Sequence, residues 1–107
     1  LHTLPLAIDV ITASPAPAPQ LQFDVYHLQI IGGDLLANLE ACFTHIGHVQ
    51  IAGVPHRNEP DTGELNHVEL LRALDRLGYA GWVGCEYRPG GSGPHATSAG
   101  LGWLRKV

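Results

Sequence analysis

The chain has 107 residues, a formal net charge of −4 at pH 7 and 45% hydrophobic residues. This length allows one small domain with a modest core, and the acidic balance without a basic stripe excludes nucleic acid and anionic membranes as expected partners. No apolar run reaches the roughly 20 residues of a membrane-spanning helix, and two cysteines are too few for a disulfide framework, so a reducing, cytoplasmic location is expected.

The first part of the chain combines an ambiguous apolar segment with a Pro-rich one. Residues 4–13 could form a helix or a strand, because β-branched residues are mixed with good helix formers. The alternating prolines of residues 14–20 favour an extended connector. We therefore predict an N-terminal helix or Pro-rich connector over residues 1–19, ahead of a domain over residues 20–107.

From residue 21 onwards, strand-like segments alternate with segments whose apolar residues recur at helical spacing. Such an order is typical of βαβ units with a parallel sheet, and the continuous apolar character of the strands is typical of a sheet covered on both faces. The class is therefore α/β. The predicted strands are 21–31, 48–54 and 81–87, and the predicted helices are 32–47, 66–79 and a last one that begins near 101.

The two complete predicted helices carry recognisable end signals. Asp34 is placed to cap the first, and Gly47 is placed as the left-handed residue that ends it. Asn66, followed three residues later by Glu69, resembles a capping box at the start of the second, which Gly78 ends.

Three polar residues lie at or near the carboxyl ends of the three predicted strands. These residues are Asp24, Gln50 and Glu86. Because the carboxyl ends of parallel strands share one edge, where α/β proteins place their active sites, the three side chains can converge. A divalent cation would offset the cost of burying the carboxylates, and carboxylate and amide oxygens suit Mg²⁺ or Mn²⁺, although carboxylates also hold Zn²⁺. His27 could contact a substrate oxygen or add a ligand.

Simpler interpretations remain open for each of these residues. Asp24 could be hydrogen-bonded to a neighbouring loop, Gln50 could be structural, and Glu86 could form a salt bridge with Arg88. Arg57 could reach an anionic substrate or be a solvated loop charge. Structural roles are expected for the remaining polar residues and thiols: Glu59, Asp61 and Glu64 as solvated loop charges, His48 as a satisfied core histidine, and Cys42 and Cys85 as buried apolar groups.

Four segments resemble the C-terminal part of the hydroxypyruvate isomerase family in both order and spacing. They read "LQFDVYHLQI", "IGHVQIAGVPHRNEPDTGELN", "GYAGWVGCEYRP" and "GLGWLR", and the resemblance covers about residues 20–105. That family belongs to the xylose-isomerase-like (β/α)₈ barrels. The resemblance therefore implies a partial TIM barrel that consists of the last three strands with their helices.

The resemblance also implies roles for individual residues. Asp24 and Gln50 would be metal ligands, and Glu86 would be both a metal ligand and one of two catalytic acid/base carboxylates. His27 and Arg57 would contact oxygens of a small hydroxy-oxo acid. The implied reaction converts hydroxypyruvate to tartronate semialdehyde by proton transfer through an enediolate held by Mg²⁺ or Mn²⁺.

The chain departs from the family pattern at two points. The family's other acid/base Glu lies on an earlier strand, and the only carboxylate within residues 1–19, that of Asp9, does not match it. His56 stands where the family usually has Gly before the Arg. We therefore expect the 107 residues alone to be inactive.

Other functions stay open. A related ketose 3-epimerase would usually have His in place of Gln50, and a non-catalytic fragment or interaction module would keep the strands without the chemistry. A metal-dependent endonuclease is disfavoured by the acidic charge and by the lack of clustered His ligands. The unpaired edges of a three-stranded sheet are also expected to favour self-association.

Overall fold

The structure, a computed structural model, describes residues 3–107 as three parallel strands with helices between and after them. No helix in this part of the chain is long and apolar enough to cross a membrane. The elements are helix α1 (Leu4–Ala13), strand β1 (Leu21–Asp24), helix α2 (Val25–Ile31), helix α3 (Leu35–Cys42), a 3₁₀ turn (Phe43–His45), strand β2 (Ile46–Ile51), helix α4 (His67–Leu77), strand β3 (Val83–Cys85), helix α5 (Ala96–Ala99) and a 3₁₀ helix (Gly100–Lys106).

The sheet has the order β1-β2-β3, with both neighbouring pairs parallel. The α/β class predicted from the sequence is thus confirmed, and the strand order is that of three consecutive strands of a parallel barrel. In this register Asp24 pairs with Gln50, and Gln50 pairs with Gly84. The sheet register therefore brings the carboxyl ends of the three strands side by side.

The core lies on one face of the sheet, where the helices pack. Phe23 is 0% exposed, and Val49 and Ile51 are almost equally buried. These residues form one cluster with Leu39 of α3 and Leu74 of α4. The expectation of strands covered on both faces is wrong for residues 3–107, because burial alternates along β2 and the polar residues occupy the other face.

The predicted strand 21–31 is wrong beyond its fourth residue. The strand ends at Asp24, whose side chain accepts a hydrogen bond from the backbone N–H of His27 at 3.1 Å, and helix α2 begins there. Residues 25–31 have the β-branched and aromatic character of a strand, but the N-cap and the packing of Val25 override that propensity. The ambiguous segment 4–13 is a helix.

The helix end signals are confirmed for α4 and are wrong for α3. Asn66 accepts a hydrogen bond from Glu69 N at 3.3 Å, and Gly78 ends the helix with a φ of 80°. Asp34 lies at the N-cap position of α3 but makes no capping hydrogen bond. Gly47 lies within β2, because the strand begins directly after the 3₁₀ turn.

The last segment is also shorter in regular structure than predicted. Strand β3 has three residues, the Gly-rich loop contains the short helix α5, and the final helix is of the 3₁₀ type. Trp103 attaches this segment to the domain. Its indole N–H donates to the Tyr87 hydroxyl at 3.2 Å, and its ring lies edge-on to the imidazole of His67, 6.1 Å between centroids.

His67 is a buried imidazole whose Nε2 has no hydrogen-bond partner within residues 3–107. Burial lowers the pKa of His67 from its ordinary value of 6.5; the charge of Asp61 opposes this shift, and that of Lys106 adds to it. Below pH 6.5 the unfolded chain therefore binds a proton that the folded chain resists.

We expect the free energy of unfolding to be highest above pH 6.5 and to fall as the pH drops through the window between 6.5 and the lowered pKa of His67. His67→Phe keeps an aromatic edge against Trp103 and should flatten this decline. Urea unfolding of both proteins above pH 6.5 and at about pH 5 measures it. His56→Gln, which removes an exposed imidazole, is the control. An equal loss in wild type and His67→Phe would contradict the prediction.

Candidate functional site

The polar side chains predicted at the strand ends lie close together in the structure. One atom of the Gln50 side-chain amide lies 2.8 Å from Glu86 Oε2 and 3.1 Å from Asp24 Oδ2. Asp24 and Gln50 are register partners, and Glu86, one residue beyond β3, donates its backbone N–H to Ile51 O at 3.3 Å. The three side chains therefore meet at one point of the sheet edge.

The orientation of the Gln50 amide determines whether a hydrogen-bond donor or an acceptor faces the two carboxylates. If its nitrogen faces the carboxylates, it donates to both, but it then meets the donor Nε2 of Gln22 at 2.9 Å. If its oxygen faces them, it accepts from Gln22 Nε2 at 2.9 Å and lies between two carboxylate oxygens. Oxygens that share an octahedral cation at about 2.1 Å are about 3 Å apart. In the oxygen-inward arrangement, the amide oxygen therefore lies at a distance from each carboxylate oxygen that a shared octahedral cation would allow.

The Asp24 side chain is largely buried, with 14% of it exposed, whereas 57% of the Glu86 side chain is exposed. Its Oδ1 accepts the hydrogen bond from His27 N, and its Oδ2 faces Gln50. The helix cap therefore fixes the direction of the second oxygen. The imidazole of His27 is half-exposed beside it, with Nε2 at 3.9 Å from Asp24 Oδ2.

Arg57 is brought to the same point by the loop after β2. Its guanidinium Nη2 lies 3.1 Å from Glu86 Oε2, and its Nε donates to Glu86 O at 3.4 Å. The alternative salt bridge between Glu86 and Arg88 is therefore wrong: Arg88 instead donates its backbone N–H to Arg57 O. Because Glu86 Oε2 faces both Arg57 and Gln50, the carboxylate joins the guanidinium to the amide.

The backbone of Arg57 has a positive φ of 58° and is held by hydrogen bonds on both sides. Arg57 N donates to Gly53 O, and Arg57 O accepts from Arg88 N, both at 2.9 Å. These bonds fix the base of a long side chain, which leaves the guanidinium directed over the sheet edge. A cleft of about 330 Å³ opens there, lined by Arg57, Cys85, Glu86, Tyr87 and Arg88.

Tyr26 has no role in the sequence interpretation but touches both predicted substrate-binding residues. The Arg57 guanidinium lies 5.0 Å from the centroid of its ring, and the His27 imidazole lies edge-on at 5.1 Å. The signal available in the sequence is its position between the predicted ligand Asp24 and His27 in "FDVYH".

Glu59 was expected to be a solvated loop charge, and this expectation is wrong. The residue is 8% exposed, and its two carboxylate oxygens accept from Gly90 N at 3.1 and 3.0 Å. Its neighbour Asn58 donates to Arg88 O at 2.9 Å. Together these bonds fasten the loop that carries Arg57 to the segment that follows Glu86.

The remaining polar residues divide between confirmed and corrected expectations. Asp61 pairs with Lys106 at 2.9 Å, and Cys42 is buried. Cys85 is exposed, so its expected burial is wrong. Desolvation by the surrounding protein atoms raises the pKa of both thiols, which disfavours thiolate chemistry at either. No group of three or more His, Cys, Asp or Glu suited to a metal occurs within residues 3–107; the third side chain beside Asp24 and Glu86 is the Gln50 amide.

A substitution at Gly100 tests how tightly the Glu59 side chain is packed. A Cβ added at Gly100 would collide with the Glu59 carboxylate, whereas one added at Gly102 meets nothing within 4 Å. We expect Gly100→Ala to lower the free energy of unfolding by about 1–3 kcal/mol, measured by urea unfolding, because the buried carboxylate is held by Gly90 and cannot move away freely. Gly102→Ala is the matched control. Equal stability of the two variants would contradict this.

Comparison with known proteins places the chain in a family. A family model described as "Xylose isomerase-like TIM barrel" matches residues 1–107, and the chain belongs to this family. It is 56% identical over 86 residues to a 2-oxo-tetronate isomerase of Cupriavidus necator, covering 80% of this chain and 32% of that protein. It is 44% identical over 85 residues to the hydroxypyruvate isomerase of Escherichia coli, covering 79% of this chain and 31% of that protein.

A solved structure shows the same fold. The crystal structure of "AP endonuclease, family 2" from Brucella melitensis matches with a TM-score of 0.86 and 43% identity, over 95% of this chain and 38% of that chain. The resemblance to the hydroxypyruvate isomerase family is thus confirmed. The chain spans about a third of the length of the curated relatives it matches.

Proposed function

We propose that this chain supplies the metal-binding and substrate-binding side of an isomerase site for a small hydroxy-oxo acid such as hydroxypyruvate. The observation that carries the proposal is the meeting of Asp24 and Glu86 at a single atom of the Gln50 amide, at 3.1 and 2.8 Å. The names of the two relatives, a hydroxypyruvate isomerase and a 2-oxo-tetronate isomerase, support it.

The donor set fits a hard divalent cation. Two carboxylate oxygens and one amide oxygen are the ligand types of Mg²⁺ and Mn²⁺ rather than of a thiolate-rich zinc site. When bound, such a cation would be held by Asp24, Gln50 and Glu86 and would polarise a carbonyl group of the substrate. Substrate orientation and proton transfer are the roles of side chains of this site.

Substrate orientation falls to Arg57 and His27. The planar guanidinium of Arg57 presents several N–H donors, which match the carboxylate of an oxo acid. The half-exposed imidazole of His27 can donate to a hydroxyl or carbonyl oxygen of the same molecule. The two groups converge on the side of the sheet edge where Asp24 and Glu86 lie.

Proton transfer falls to Glu86. Isomerisation moves a proton between neighbouring carbons of the substrate, and a carboxylate at the sheet edge can accept it and return it. Glu86 Oε2 lies 3.1 Å from Arg57 Nη2, so the proton-carrying group and the anion-binding group are held together.

Asp24→Asn tests the metal site without disturbing the fold. Asn is as good an N-cap as Asp, so the variant keeps the hydrogen bond to His27 N and removes only the charge. We expect the wild-type chain to bind Mn²⁺ and the variant to bind it at least about tenfold more weakly, or about 1.4 kcal/mol, by isothermal titration.

Asp34→Asn is the matched control, since the Asp34 side chain makes no capping hydrogen bond and lies outside the site. Circular dichroism checks that all three proteins are folded. Absent Mn²⁺ binding by the wild type, or equal affinity of wild type and Asp24→Asn, would refute the metal site.

We also expect the 107 residues by themselves not to convert hydroxypyruvate in the presence of Mg²⁺. The family pattern needs a second acid/base Glu, and Asp9, the only carboxylate in residues 1–19, does not match it. Proton NMR of hydroxypyruvate incubated with the chain and Mg²⁺ measures conversion directly. Turnover that disappears in Glu86→Gln would show that one carboxylate is sufficient.

The competing functions differ in what they require. Gln50 favours an isomerase over a ketose 3-epimerase, which usually has His there. The name of the Brucella protein raises nucleic acid as a partner, but a net charge of −4 opposes binding to phosphates. A non-catalytic interaction module would bind no Mn²⁺. Self-association through the β1 and β3 edges stays a prediction.

A further inference from the structure

We propose that Tyr26 is a positioning residue that holds the Arg57 guanidinium and the His27 imidazole in place for an anionic substrate. The inference rests on the proposed function and assigns a role to a residue outside the proposed set of metal ligands. The observation behind it is that a single ring contacts both side chains, at 5.0 and 5.1 Å.

The contact with Arg57 joins two separate elements of the site. Tyr26 lies in the first turn of α2, two residues after Asp24, whereas Arg57 belongs to the loop that follows β2. A guanidinium within about 6 Å of an aromatic centroid is attracted to the face of the ring. The ring therefore sets the distance between the anion-binding group and the carboxylate of Asp24.

The contact with His27 has a different geometry. The two rings are nearly perpendicular, with an interplanar angle of 81°, and the His27 backbone N–H is held by Asp24 Oδ1. Side chains of consecutive helical residues normally point in different directions, so an edge contact between them limits rotation of both. Asp24, Tyr26 and His27 thus form one fixed turn.

The Tyr26 ring matters because Glu86, which pairs with the Arg57 guanidinium, is also part of the proposed metal site. Glu86 Oε2 pairs with the guanidinium and also faces Gln50, and the Glu86 side chain is 57% exposed. If Glu86 binds a cation, its attraction for Arg57 weakens, because its charge is then shared with that cation. The face of Tyr26 attracts the guanidinium without using any oxygen of Glu86, so it keeps Arg57 in place during that change.

Tyr26→Leu and Tyr26→Phe separate this role from general packing. The Tyr26 hydroxyl makes no hydrogen bond within residues 3–107, so Phe keeps every contact on which the proposal depends, and Leu removes the aromatic face. We expect the affinity of the full chain for hydroxypyruvate, titrated by NMR in Mg²⁺, to fall about fivefold in Tyr26→Leu and to stay within about twofold in Tyr26→Phe.

Two further measurements exclude a merely structural effect. The Arg57 Nε–H resonance, assigned by its loss in Arg57→Lys, should change its ring-current shift in Tyr26→Leu and keep it in Tyr26→Phe. The affinity for Mn²⁺ should be the same in wild type and both Tyr26 variants, because the donor set is unchanged.

The outcomes distinguish this proposal from the proposed function. Equal hydroxypyruvate affinity in Tyr26→Leu and wild type, or no affinity in the wild type, overturns the role of Tyr26 even if Mn²⁺ binds. Hydroxypyruvate binding that depends on Tyr26 in a chain that binds no Mn²⁺ supports the positioning role and overturns the metal site. A loss of Mn²⁺ affinity in Tyr26→Leu overturns the positioning role of Tyr26, since the residue would then act through the fold.

Discussion

The carboxylate of Asp24 connects the fold of this chain to its candidate site. One oxygen accepts the His27 N–H and begins helix α2, and the other faces the Gln50 amide. Since the cap holds the side chain in place, its second oxygen cannot turn towards solvent. With only 14% of the side chain exposed, that charge requires an amide donor or a cation beside it. The cap of helix α2 therefore requires that the neighbouring strand β2 present a group that stabilises the second oxygen of Asp24.

The parallel register of the sheet places such a group, the Gln50 amide, beside Asp24. Pairing of Asp24 with Gln50, and of Gln50 with Gly84, places the amide between the ends of β1 and β3. Glu86 follows two residues after Gly84 and returns to the same edge. The loop after β2 then adds Arg57, and its position depends on hydrogen bonds to the segment that follows Glu86. The strand register thus positions the side-chain oxygens, and the loop after β2 positions the guanidinium of Arg57.

The sequence was sufficient for features that depend on neighbouring residues or on strand order. The α/β order, the Asn66 cap and the stop at Gly78 follow from local patterns, and the meeting of strand-end residues follows from parallel topology. The burial of Glu59 did not follow, because its partner Gly90 lies 31 residues away. The end of β1 was also missed, since the cap at Asp24 outweighs the strand propensity of the residues after it. The role of Tyr26 depends on a contact across two elements, which no local pattern records.

An amide at position 50 has a physical consequence for the hydrogen bonding between the two carboxylates. A third carboxylate there would add repulsion to Asp24 and Glu86, and the Arg57 guanidinium pairs with Glu86 alone of these two. The Gln50 amide can turn either its nitrogen or its oxygen toward the two carboxylates, because a rotation exchanges its two ends. Gln22, 2.9 Å away, must turn with it, since its own amide can accept or donate. The two amides can therefore stay hydrogen-bonded to each other in both orientations, whereas a carboxylate at position 50 could only accept.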